Sequence, residues 1–153
     1  MKNYSILLFF LFGFSFNLIG QEYKLAQQYY NEKKKKKAAT LYKKLYDKQK
    51  NNEYYFGRYV NCLIYLESLD QAEKDLKSIL KEKPKSVNWY VVLGNIYELQ
   101  FKQEKAEKQY VLALEKLPKE RHQVIRLAQE FVRITKYDWA VKTYSKGAEL
   151  LKD

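Results

Sequence analysis

Cut every 34 residues from Ile19, the chain repeats one pattern of large and small side chains four times without an insertion or deletion. A period of that length restricts a chain to supersecondary units that bury their apolar faces by stacking on one another. The windows start at Ile19, Glu53, Val87 and Arg121. Their seventh place reads Leu25, Tyr59, Leu93, Leu127, and their eighth Ala26, Val60, Gly94, Ala128. The eleventh holds Tyr29, Leu63, Tyr97 and Phe131, and the twentieth is alanine throughout: Ala38, Ala72, Ala106, Ala140. Tyr42, Leu76, Tyr110 and Tyr144 follow at the next large place, and Leu45, Ile79, Ala113 and Gly147 three residues beyond them. Pro84 and Pro118 share one place in the second and third windows, where the first has Lys50.

Within a window the apolar places fall at helical spacing, as in Tyr90, Leu93, Gly94, Tyr97 and then Ala106, Tyr110, Ala113, which predicts two amphipathic helices per window. Small residues such as Gly94 and Ala106 allow the two to approach closely, and the aromatics fill the space between neighbouring pairs. Pro84 and Pro118 are placed to stop the second helices. Asp70, Glu104 and Asp138 stand where those helices begin and favour the helix dipole, whereas the first window has Lys36 there.

The pattern resembles the tetratricopeptide repeat, and the third window, with Tyr90, Leu93, Gly94, Tyr97, Ala106, Tyr110, Ala113 and Pro118, matches it most fully. The resemblance implies an all-α fold of tetratricopeptide-type helix-turn-helix repeats, stacked into a right-handed superhelical solenoid with a concave groove lined by first helices. The divisions expected are 1–20 as a signal peptide, 21–52 as a partial first repeat, 53–86, 87–120 and 121–153, the last open to truncation.

Residue 1 to residue 20 reads as export machinery. One lysine precedes an apolar run from Ile6 to Ile19, too short to span a bilayer, and Gly20 supplies a small residue before Gln21. Cleavage is expected between Gly20 and Gln21, with an uncleaved anchor as the alternative because Leu18 departs from the small-residue preference. Residue usage resembles that of exported proteins of Bacteroidetes-type bacteria, and the expected location is periplasmic or secreted.

Chemistry is sparse. Cys62 and His122 are the sole residues of their kinds, which excludes an intramolecular disulfide or Cys-based zinc site and leaves no His-centred triad. The five glycines are isolated, so no phosphate-cradling loop exists. No catalytic constellation, metal site or cofactor is read, and the chain is not expected to be an enzyme. Its net charge of +11 comes from 29 basic residues of which only Arg58, Arg121, Arg126 and Arg133 are arginine, a lysine-rich solvated surface and not a nucleic-acid interface. The run Lys33–Lys37 is read the same way, as a solvated edge, with contact to an anionic membrane surface as the second reading.

The expected partner is a protein or extended peptide. The ninth place of each window is an amide, Gln27, Asn61, Asn95 and Gln129, and the family resemblance turns that place toward the groove, where amides offer donor and acceptor to a bound backbone. The candidate site comprises Tyr23, Gln27, Tyr30, Tyr54, Asn61, Tyr65, Asn95, Leu99, Gln129 and Arg133, with Ile64, Val91, Ile125 and Val132 as further groove places. The arginines and lysines by which some relatives clamp a terminal carboxylate are replaced by Tyr23, Gly57, Asn61, Val91 and Asn95. The function expected is an exported interaction scaffold or adaptor; the alternative is an N-terminal repeat segment of a larger envelope protein with a regulatory or assembly role. Trp139, Val141 and Leu150 are expected to offer a surface to a next helix, so self-association through the C-terminal edge is a further expectation. Intact mass of the exported protein checks the processing: a chain starting at Gln21 is expected, and one retaining residues 1–20 contradicts it.

Overall fold

The computed structural model describes residues 19–152, which form helices and turns with no strand among them. Each window supplies two helices: 19–31 (α1) and Lys35–Lys48 (α2), Glu53–Tyr65 (α3) and Leu69–Glu82 (α4), Val87–Leu99 (α5) and Gln103–Glu115 (α6), Arg121–Arg133 (α7) and Tyr137–Leu150 (α8). Most of the apolar N-terminal run lies outside the described residues, while Gly20 and Gln21 fall within α1. No described helix is long and apolar enough to cross a membrane.

One turn geometry joins the two helices of every window. Lys33, Glu67, Phe101 and Thr135, at the same place in their windows, have φ of 59°, 55°, 59° and 59°. After each, a backbone N–H reaches back five residues to close the helix: Lys34 to Tyr29 (2.9 Å), Ser68 to Leu63 (2.9 Å), Lys102 to Tyr97 (2.8 Å) and Lys136 to Phe131 (2.9 Å). Inside that loop the left-handed residue itself donates to the carbonyl three before it. This pair of bonds is a Schellman turn, which usually takes glycine at the left-handed position. None of the four is glycine, and Phe101 is 96% exposed there.

The other junctions follow the punctuation in the sequence. Helix α4 ends two residues before Pro84 and α6 three before Pro118. After α2, which has no proline, Asn52 caps α3, its Oδ1 accepting from the Tyr55 N–H at 3.3 Å. Asp70, Glu104 and Asp138 occupy the first turns of α4, α6 and α8, and α2 has no acid in its first turn.

The chain divides into two compact units at Ser68 and Leu69, inside the second window. In the first, α2 packs on α3, with Ala26, Ala38, Tyr42, Leu45 and Cys62 fully buried. In the second, α5 packs on α4, α6 and α7, and α7 on α8, so first helices neighbour first helices. A methyl added at Gly94 would overlap the Tyr110 ring (2.7 Å from Cδ1), and one at Gly147 would overlap Val124. Tyr110 is itself held by Phe131 (5.4 Å between ring centres) and Trp139 (5.4 Å). Trp139 therefore packs against the second unit while remaining half-exposed. Val141, by contrast, is 64% exposed.

A β-branched residue is the poorest occupant of a left-handed position. Thr135→Asn keeps the Schellman bonds and relieves that strain, so urea unfolding is expected to show a gain of about 1 kcal/mol. An unchanged or lower midpoint contradicts the strain.

Candidate functional site

In the first unit the candidate residues come together on α1 and α3. Tyr23, Gln27 and Tyr30 recur at four and three residues along α1, and Tyr54, Asn61 and Tyr65 at seven and four along α3, so each set shares a helix face. The rings of Tyr23 and Tyr54 meet edge to face at 6.2 Å. Tyr42 of α2 lies among them, 6.1 Å from Tyr30 and 6.4 Å from Tyr54 between centres. Gln27 and Asn61 make no side-chain hydrogen bond to a described residue and stand exposed or half-exposed, so their amides are open to a ligand.

Two cations enter this aromatic set. The Arg58 guanidinium stacks over Tyr30 at 4.5 Å and Tyr54 at 5.0 Å from the ring centres. Lys35 Nζ lies 3.4 Å from the centre of Tyr30 and 5.4 Å from that of Tyr65, and donates to the Tyr30 carbonyl oxygen at 2.9 Å. Burial opposes ionisation of Tyr54, but the adjacent Tyr23 hydroxyl and the Arg58 guanidinium outweigh it and hold that phenol below the ordinary tyrosine value. Burial raises the Tyr42 phenol well above it.

Neither cation was read as part of the site, although the spacing contains both. Arg58 falls four residues after Tyr54 and three before Asn61, on the same face. Lys35 stands three and seven residues before Ala38 and Tyr42, on the buried side of α2. Counting Lys33–Lys37 as one solvated block hid it: Lys33, Lys34, Lys36 and Lys37 are exposed, whereas Lys35 is half-buried.

In the second unit Asn95 and Leu99 share a face of α5, and Gln129 and Arg133 a face of α7, each pair four residues apart. Asn95 and Gln129 also lack side-chain hydrogen bonds to described residues. Leu99, Ile125 and Val132 are exposed. Arg133 is engaged by Glu130 through Nε at 3.1 Å and through Nη2. Val91 is fully buried, which corrects its assignment to the groove: its place on α5 points into the packing of the unit.

The lone cysteine and histidine lie apart from these faces. Cys62 is fully buried, and burial pushes its thiol up to about 11 against the lowering influence of Lys35 and Arg58, so it is neutral at ordinary pH. His122 is exposed beside Glu120 at 3.3 Å. Among the described residues no three His, Cys, Asp or Glu side chains converge to hold a metal ion.

No family model and no curated protein matches the sequence. Solved structures do match the fold. PcrH from Pseudomonas aeruginosa is similar at 13% identity with a TM-score of 0.61, covering 88% of this chain and 92% of that one. A tetratricopeptide repeat protein from Parabacteroides merdae is similar at 15% identity and 0.55, covering 88% of this chain and 54% of its own. MamA from Desulfovibrio magneticus is similar at 20% identity and 0.53, covering 86% and 75%. The described helices have the tetratricopeptide-repeat fold.

Proposed function

We propose that the chain is an exported interaction scaffold that holds an extended peptide segment of a protein partner and carries out no chemistry of its own. The observation that supports this reading is the face of α1 and α3. Two amides without a protein partner, Gln27 and Asn61, stand there among the half-exposed or exposed rings of Tyr23, Tyr30, Tyr54 and Tyr65. Amides can satisfy both the N–H and C=O groups of an extended backbone, and rings beside them give apolar contact to its alternate side chains. Asn95 and Gln129 repeat the amide on the first helices of the second unit. An exported chain meets peptide segments of envelope or secreted proteins, and a rigid repeat surface suits such segments. The fold alone does not choose among roles, since repeat scaffolds serve many; the side chains on this face favour peptide binding.

A library of random twelve-residue peptides, each flanked on both sides by the display protein, tests this. Selection on the chain is expected to yield binders whose affinity falls at least tenfold in Gln27→Ala/Asn61→Ala, since each lost backbone bond costs about 1–3 kcal/mol. The melting temperature should hold, because neither amide supports the fold. A library without binders, or binders indifferent to the pair, contradicts the proposal.

A further inference from the structure

Arg58 and Lys35 are drawn onto tyrosine faces and left without a carboxylate. Neither forms an ion pair with any described acidic residue. Residues 19–68 contain eleven cationic and five acidic side chains, a net charge of +6. Three of those five acids are committed to other lysines: Glu22 to Lys44 and Lys48 at 2.7 Å each, Glu32 to Lys34 at 2.7 Å, and Asp47 to Lys43 and Lys50. The Tyr54 and Tyr30 hydroxyls beside the guanidinium are neutral partners, so its charge is left without a counter-ion. A cation–π contact is also weaker than the charge-assisted hydrogen bonds that a carboxylate would add to a half-buried arginine.

A second observation lies among the same rings. The Tyr42 side chain is fully buried and its hydroxyl has no hydrogen-bond partner, an arrangement that proteins ordinarily avoid. Its ring is within 6.4 Å of both Tyr30 and Tyr54, the two rings that hold Arg58. The cluster therefore combines a guanidinium with phenol neighbours but no carboxylate, an ammonium with spare protons and phenols able to donate, and all of these groups suit an anion.

We propose that this cluster seats the carboxylate of an aspartate or glutamate side chain presented by the bound peptide, with Arg58 as its principal partner and Lys35 as its second charge. The assignment rests on the peptide-binding reading of the α1 and α3 face and adds to it the chemical class of one partner residue. Charge complementarity selects an acidic segment, since apolar and basic side chains leave both cations without a counter-charge.

The peptides selected from the flanked library provide the test, because none has a free carboxyl terminus. They are expected to share an Asp or Glu at one fixed position, and replacing it by Asn or Gln should weaken binding at least tenfold. Arg58→Met should produce the same loss and remove the preference for the acid over its amide, and Lys35→Met a smaller loss in the same direction. Lys36→Met removes an exposed lysine outside the cluster and should change affinity less than twofold. Should Arg58→Met fail to fold by circular dichroism, Arg58→Lys keeps the charge without the planar fork, and a partial loss with the acid preference retained is expected. Binders without a fixed acid, or equal losses from Lys36→Met and Arg58→Met, overturn the carboxylate site and leave the peptide-binding reading standing. Failure to select any binder overturns both.

Discussion

The whole arrangement depends on how closely two helices of a pair can approach. In the second unit the contact between α5 and α6 passes through Gly94, whose missing side chain is the space taken by the Tyr110 ring. Ala106, on the facing helix, is fully buried. Alanine at the same place in every window, buried in each, shows one solution used four times. Close-packed interiors resist added volume, so this small-against-large pairing fixes the register of the two helices and, with it, which side chains remain on the outer face of the first helix.

The turn between the helices is the second fixed element. Two backbone bonds close it in every window, and they hold a left-handed residue in place even where that residue is lysine, glutamate, phenylalanine or threonine. The sequence gives no glycine to mark this position, so its geometry was not legible there. The helices were: periodicity placed Leu93, Tyr97, Leu127 and Phe131 inward, and all four are buried. Leu25 and Tyr144 depart from that placement and are exposed.

The candidate site was legible in its aromatics and amides and illegible in its charges. Tyr23, Tyr30, Tyr54 and Tyr65 meet the eye as a repeated surface, whereas Lys35 is buried in a run of five identical residues and Arg58 is a single arginine. What separates Lys35 from its neighbours is its angle around α2, which turns it toward the same side as Ala38 and Tyr42. Charge composition averages such differences away, and a lysine-rich surface therefore concealed a cation held by a tyrosine face. Val91 departs in the opposite direction. Its window place points outward in the family resemblance, but here it is fully buried.

Unfolding of Gly94→Ala in urea, compared with Asn95→Ala one residue along the same helix, tests the close approach most directly. Alanine is the better helix former by about 1 kcal/mol, so both substitutions would stabilise α5 if nothing stood against it. Tyr110 is buried and flanked by the Phe131 and Trp139 rings, which resist its displacement. The account predicts that Gly94→Ala loses about 1–3 kcal/mol through overpacking while Asn95→Ala stays at or above the native value. A Gly94→Ala protein as stable as the native chain would contradict it.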